Sequence, residues 1–358
     1  MAIQKVNIEE FLSLAKKHPV LDVRSPGEYH HAHIPAAYSL PLFTDEERKV
    51  VGTTYKQNSR EEAIKIGLDF FGVKMRKMVE EAESLAASYK PVINTNDSQL
   101  SATDSRTVLV HCWRGGMRSA GVAWLLDLYG FKVYTLVGGY KVFRNWVLEQ
   151  FEKDYTLQVI GGNTGSGKTY VLNALQKKNE VVIDLEALAN HKGSAFGNIG
   201  MPEQPSQEFF ENKLAVELFF TSEKQKPIWV EDESQRRGDV NIPITFWKHM
   251  RTKPLFFLDI PFEERLDHIT EEYGKLDKEK LINAVVRIKK RLGGLETKES
   301  VNALIEGRIK DCFRILLTYY DKWYSKGLHN RENLDALLQK IPCKTVHESN
   351  MKQLLQPQ

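Results

Sequence analysis

Leu157-Gln158-Val159-Ile160 is a short apolar run, and Gly161-Gly162-Asn163-Thr164-Gly165-Ser166-Gly167-Lys168-Thr169 follows it without a break. A strand feeding a glycine-rich turn and then a helix is the context in which G-x-x-x-x-G-K-[ST], here Gly162 to Thr169, binds phosphate. Gly162, Gly165 and Gly167 let the backbone curl so that its N–H groups, that of Ser166 among them, face an anion. Lys168 adds a point charge, and the Thr169 hydroxyl is placed to ligate Mg²⁺. The motif specifies a polyphosphate but not its owner, which is open between a nucleotide and another diphosphate. Hydrolysis would need a group that orients water, and no residue identifies one.

Working outward, Ile228-Trp229-Val230 is a second strand, ending at Glu231-Asp232-Glu233-Ser234. Glu231 or Asp232 is expected beside the phosphate, with Asp232 sharing the Mg²⁺ with Thr169. Asp184 ends the run Val181-Val182-Ile183. It is expected at the same cleft, because ligands bind at the carboxyl ends of strands in such sheets. A solvated acidic turn is the plainer alternative.

The same grammar occurs upstream. The strand Thr107–His111 runs into Cys112-Trp113-Arg114-Gly115-Gly116-Met117-Arg118-Ser119. A helix over about 117–129, a strand over 132–137 and a helix over about 140–152 follow. Cys112 is expected to face the helix N-terminus, where free N–H groups and the dipole favour an anion. With Arg114 and Arg118 nearby, its thiol should ionise readily and carry a persulfide. A buried inert cysteine is the bland alternative. The spacing His-Cys-x-x-Gly-x-x-Arg fits both sulfur-transfer loops and Cys-dependent phosphatase loops.

The flanks bear on that choice. Asp22-Val23-Arg24-Ser25-Pro26-Gly27-Glu28-Tyr29 precedes His33-Ile34-Pro35, and Leu136-Val137-Gly138-Gly139-Tyr140 leads to Trp146. Together with the cysteine loop these resemble the rhodanese family over about residues 5–150, apart from an insertion. That resemblance implies that Cys112 carries a sulfane sulfur. The loop from Cys112 to Arg118 is one residue longer than in many sulfurtransferases, which suits a larger atom and leaves phosphatase chemistry open. Asp22 and Arg24 read as a buried structural pair.

The chain has 358 residues, 42% hydrophobic and 27% charged, with a net charge of +3. Such a length favours two domains. The expected fold class is α/β: a rhodanese-like domain at 1–150 with a helical insertion at about 44–105, then a P-loop domain at 151–358 with a helical, basic C-terminal part. The insertion closes on the polar run Asn94-Thr95-Asn96-Asp97-Ser98. No apolar run reaches the roughly 18–20 residues that span a bilayer. The N-terminus is a poor signal peptide, and three cysteines make no disulfide framework. A cytoplasmic protein without a membrane partner is expected. Charge this small requires any RNA site to be local. Arg287, Lys289, Lys290 and Arg291 form the densest cluster and are read as phosphate contacts. Tyr319, Tyr320, Trp323 and Tyr324 lie farther on and are read as the core face of an amphipathic helix. Cys312 is read as packing, and Cys343 has no role.

Further signatures are Leu188-Ala189-Asn190-His191-Lys192-Gly193-Ser194-Ala195-Phe196-Gly197, Pro205-Ser206-Gln207, Phe210-Glu211-Asn212 and Val230 to Ser234. With them, about residues 1–350 resemble the bacterial tRNA 2-selenouridine synthase family. That resemblance implies wobble 2-thiouridine in tRNA as substrate, selenophosphate as selenium donor and geranyl diphosphate for an S-geranylated intermediate. It implies these as co-substrates with no tightly bound cofactor, and a selenophosphate-producing enzyme as partner. On that basis the P-loop would hold the prenyl diphosphate. Cys112 would handle the chalcogen, with Arg114 and Arg118 holding anionic selenium or phosphate.

Overall fold

The computed structural model describes residues 3–89, 106–194 and 196–355. The polar run at 94–98 lies outside them. The chain divides into two compact units, Met1–Glu149 and Gln150–Gln358.

The first unit is built on five strands: β1 (Gln4–Val6), β2 (Val20–Asp22), β3 (Ala37–Ser39), β4 (Thr107–His111) and β5 (Lys132–Leu136). They lie in the order β1-β5-β4-β2-β3, all parallel. Every residue of β4 is buried, as expected for a central strand covered on both faces. Its alternation sorts the side chains. Val108, Val110 and Cys112 join the core formed with Val122 and Leu126 of the helix Met117–Tyr129, while His111 meets Phe11 of the helix Ile8–Ala15 edge-on. The insertion forms three helices, Asp45–Gln57, Arg60–Gly72 and Met75–Ser88. The first starts in a capping box, where Thr44 and Glu47 satisfy each other's backbone N–H groups. Phe71, Met78, Ala82 and Ala86 turn it onto the core.

The second unit repeats the plan. Strands β6 (Leu157–Gly161), β7 (Val181–Ile183) and β8 (Ile228–Glu231) precede a two-stranded antiparallel ribbon of β9 (Arg236–Arg237) and β10 (Val240–Asn241). Strands β11 (Leu255–Asp259) and β12 (Leu338–Pro342) complete a parallel sheet in the order β12-β11-β6-β8-β7. The helical, basic part expected toward the C-terminus includes the helices Lys278–Arg287, Lys289–Leu292, Gly294–Ile305 and Ile309–His329. Leu281, Val285, Leu304, Cys312, Phe313 and Leu316 bind them into one apolar cluster. No helix of the described residues is long and apolar enough to cross a membrane.

Candidate active site

In each unit the middle strand of the sheet, β4 or β6, ends in a glycine-rich loop that opens a helix. Cys112 stands at the first such point and is buried. Among the described residues, no backbone N–H from 113 to 118 donates to a protein acceptor, so the loop offers a row of free donors. Its shape is held from behind, where the N–H groups of Tyr140 and Lys141 donate to the carbonyls of Cys112 and Trp113, both at 2.9 Å. Gly139 makes that approach possible. Its φ is +60°, and a Cβ there would lie 2.3 Å from the Cys112 carbonyl oxygen and 2.5 Å from the Gly115 nitrogen. The Gly-Gly-Tyr motif is thus the back wall of the cysteine loop.

The Cys112 Sγ lies 3.2 Å from the Ser119 hydroxyl, which also reaches the Gly116 carbonyl at 3.1 Å. While Ser119 donates to that carbonyl, its oxygen accepts the thiol proton. Once the sulfur is ionised or carries an anionic chalcogen, the hydroxyl can turn and donate to it. His111 adds no charge, because complete burial pushes its ring down to about 4. Asp22 and Arg24 form the expected buried pair, with Arg24 Nη2 2.6 Å from Asp22 Oδ2 and donating at 2.8 Å to the Ala32 carbonyl.

One expectation fails here. Arg118 does not turn into the loop but pairs with Glu28 through two contacts of 2.7 and 3.4 Å. Glu28 also takes Arg48 at 2.9 Å and the Ser25 N–H at 3.1 Å. Burial alone would raise the Glu28 carboxyl, but the bonds and charge of Arg118 outweigh it and hold the group below its ordinary range. Arg114 is exposed and, among the described residues, has no ion-pair partner. Its guanidinium is therefore open to an anion at this loop.

The P-loop lies open above β6. Gly165 has φ +78°, and a Cβ there would lie 2.5 Å from Ile269 Cδ1. The loop is clamped from the helix Phe262–Tyr273. Buried Arg265 donates at 3.0 Å to the Thr164 carbonyl and is fixed by Asp321 through bonds of 2.7 and 2.9 Å. Lys168 Nζ donates to the Gly162 carbonyl at 3.2 Å and lies 3.6 Å from Glu233. The Thr169 hydroxyl donates to Glu186 at 3.1 Å.

The acidic partners differ from the sequence expectation. Asp232 does not approach Thr169. Its oxygens are engaged by the Tyr324 hydroxyl at 2.8 Å and by Arg331 at 2.5 Å, and Tyr324 also accepts from the Gly162 N–H at 3.1 Å. Glu231 lies behind the cleft, accepting from the Glu186 N–H at 2.9 Å and from Arg237 at 3.3 Å. Burial pushes its carboxyl up to about 8, against the opposing charge of Arg237. The carboxylates that face the loop are Asp184, Glu186 and Glu233, with fully buried Arg237 bridging Glu186, Glu231 and Glu233. Glu186 and Arg237 carry no motif. The only sequence signal for Glu186 was its place two residues after the strand-ending Asp184.

Beside the loop lies a cavity of about 330 Å³. Residues 164–169 form its polar wall, and Phe196, Met201, Ile269, Tyr273, Phe313 and Leu316 line its apolar part. Three of those rings close on one another, with Phe196–Phe313 at 5.9 Å, Phe196–Tyr273 at 6.0 Å and Tyr273–Phe313 at 6.1 Å. An anion cradle therefore opens directly into an aromatic recess. The aromatic residues read from sequence as core divide accordingly: Tyr324 is at the P-loop, Tyr320 lines the cavity, and Trp323 is exposed.

Arg287, Lys289, Lys290 and Arg291 are all exposed, spread across the break at Ile288 between two helices. Among the described residues none of the four has an ion-pair partner. The neighbouring basic residues differ: Arg308 pairs with Glu306 and Asp311, Lys310 with Asp267, and Arg314 with Glu263. The cluster is thus an uncompensated positive patch, far more so than the long helix Ile309–His329.

Comparison with known proteins fits this two-loop architecture. Residues 7–145 match the rhodanese-like domain, and residues 155–349 match the tRNA 2-selenouridine synthase AAA domain. A tRNA 2-selenouridine synthase of Bdellovibrio bacteriovorus is 32% identical, over 92% of this chain and 94% of that protein. One from Hydrogenovibrio crunogenus is 33% identical over 94% and 93%, and one from Nitrosomonas europaea is 37% identical over 71% and 63%. A cysteine loop and a P-loop joined in this order, with two of these relatives alike along more than nine-tenths of their length, show that the chain belongs to the tRNA 2-selenouridine synthase family.

Proposed function

We propose that this enzyme replaces the sulfur of wobble 2-thiouridine in tRNA by selenium, in two steps at two loops. The observation that carries the first step is the cavity beside the P-loop. A phosphate cradle opening into an aromatic recess suits a ligand with an anionic head and a hydrocarbon tail, and geranyl diphosphate is such a ligand. A nucleotide would leave the apolar wall facing a polar ribose.

In this reading the backbone of residues 162–167 and Lys168 hold the diphosphate, and the recess holds the prenyl chain. Three carboxylates face the loop, so a diphosphate needs added positive charge to settle there. The donor set fits Mg²⁺, a hard cation that takes one or two carboxylates together with substrate phosphates. The Thr169 hydroxyl and Glu186 would hold it, and it would supply charge to offset the leaving diphosphate. Sulfur attacks the prenyl carbon, and Lys168 stabilises charge building on the leaving group.

Alkylated sulfur leaves C2 more readily than a thione. Selenide released from selenophosphate, with phosphate as the other product, then attacks C2 at the cysteine loop, and the sulfur leaves as geranyl thiolate. Cys112 handles the chalcogen, while the free N–H groups of the loop and Arg114 hold its negative charge. The patch of Arg287, Lys289, Lys290 and Arg291 binds tRNA phosphates. The work is that of a soluble, cytoplasmic enzyme drawing on an enzyme that makes selenophosphate.

The test is mass spectrometry of nucleosides from 2-thiouridine-containing tRNA incubated with the protein. Geranyl diphosphate alone should give S-geranyl-2-thiouridine, and later addition of selenophosphate should convert it to 2-selenouridine. Selenouridine forming at full rate without any prenyl donor would overturn the two-step order.

A further inference from the structure

Alkylation of a 2-thiouracil ring moves a proton as well as a prenyl group. As the S–C1 bond forms, the C1–O bond to the diphosphate breaks, and the diphosphate leaves with the electron pair. C2=S becomes C2–S, a C2=N3 bond forms, and N3 must release its proton. An acceptor is therefore needed beside the diphosphate, and Lys168, positively charged, cannot serve.

Among the described residues, five groups lining the cavity are candidates: Asp184, Glu186, Glu233, His268 and Glu272. The four carboxylates are already engaged. Asp184 caps a helix by accepting from the Ala187 N–H at 2.8 Å. Glu186 holds Thr169 and Arg237. Glu233 lies between Lys168 and Arg237, at 3.6 and 3.4 Å. Glu272 accepts from Lys192 at 2.9 Å.

His268 differs. Its Nε2 lies 3.5 Å from the other oxygen of Glu272, one helical turn along the same helix. Among the described residues its Nδ1 has no hydrogen-bond partner. An imidazole that turned its Nε2–H toward Glu272 would keep its lone pair on Nδ1, the arrangement of an oriented general base. The exposed ring of Tyr170, in the turn that follows Thr169, meets His268 edge-on at 5.4 Å. It offers a face on which a splayed-out base can stack.

We propose that His268 is the general base of the alkylation step. It takes the N3 proton of the thiouracil on Nδ1, while Glu272, anchored by Lys192, is the positioning residue that orients its ring. The inference rests on the two-step function proposed for the enzyme. His268 meets Glu272 of its own helix, which Lys192 holds, and the ring of Tyr170 from the helix after the P-loop.

The experiment follows S-geranylation of a 2-thiouridine-containing anticodon stem-loop by the full chain, with geranyl diphosphate, across pH. His268→Gln should lower the rate at neutral pH by about 10²–10⁴-fold, the usual contribution of a positioned base. Its residual rate should climb roughly tenfold per pH unit as N3 ionises unaided, whereas the wild type reaches a plateau. KM for geranyl diphosphate should not change, and imidazole should restore His268→Ala. Selenation of RNA already S-geranylated reports that each variant is folded. A His268→Gln protein with the wild-type rate and pH profile would overturn the role, as would a folded His268→Ala protein that imidazole does not rescue. A wild type that transfers no geranyl group would instead overturn the two-step function.

Discussion

The loop at Cys112 and the loop at Gly162 leave the middle strands of two five-stranded parallel sheets, yet they manage charge in opposite ways. At the cysteine loop the nearby acid, Glu28, sits outside the cradle and removes Arg118 from it, leaving backbone N–H groups and Arg114. At the P-loop the cation Lys168 sits at the cradle, and the acids Asp184, Glu186 and Glu233 face it. Parallel-sheet topology supplies the donors in both places, while the side-chain charges decide what each can hold. The first suits a single small anion. The second suits a multiply charged head group that arrives with its own counter-ion.

If that division is right, Cys112→Ser should abolish selenium incorporation and spare S-geranylation. A serine hydroxyl forms no persulfide or selenosulfide and ionises far less readily. Nucleoside mass spectrometry reads both products from one incubation, and loss of both together would end the two-loop reading.

The converse substitution, Lys168→Ala, should slow geranylation by roughly 30- to 1000-fold, the cost of about 2–4 kcal/mol of lost transition-state stabilisation. Selenation of RNA already S-geranylated should proceed at the wild-type rate. An unchanged geranylation rate at subsaturating donor would move the diphosphate elsewhere.

Gly139→Ala tests whether the cysteine loop depends on its back wall. The positive φ and the clash with Cys112 and Gly115 should cost about 1–3 kcal/mol or more. The expected result is a lower melting temperature, with selenation lost before geranylation. A variant as stable as the wild type would mean that the wall can move.

The acids behind the P-loop set a pH dependence. Glu231 is raised by burial to about 8 from an ordinary 4.5. A carboxyl raised on folding contributes its stability fully below its unfolded value and loses it as pH climbs toward 8. Denaturant melts should therefore show Glu231→Gln gaining on the wild type as pH climbs from about 4.5 to about 8, with no gain on the acid side. Glu28 should behave oppositely. Its carboxyl is lowered, so the stability it provides is present at neutral pH and lost as pH falls below about 4.5, its ordinary value.

The smallest effect is expected where neither loop is touched. Replacing Arg287, Lys289, Lys290 and Arg291 by Ala should weaken tRNA binding and reduce the log–log salt slope by roughly 0.7–0.9 for each phosphate that is no longer neutralised. Parallel lines of equal affinity would make the patch a solvated surface.

Local sequence determined much of this protein. Strand–glycine loop–helix patterns placed both cradles, because backbone curvature and helix polarity are short-range properties. The strands at 107–111, 157–160, 181–183 and 228–230 could be read from their apolar runs, since a buried parallel strand has little else in it. The pairing of Asp22 with Arg24 was also legible, being two residues apart. Partner choice across the chain was not. Arg118 and Glu28 are 90 residues apart, and Asp232 and Arg331 are 99 apart. No local pattern says which of several acids a given arginine will find. The same holds for the cavity, whose apolar wall joins Phe196, Ile269, Tyr273 and Phe313 from three separate segments. Those residues look like ordinary core in sequence because a lined recess and a filled core use the same side chains. Only the way the helices pack leaves space between them.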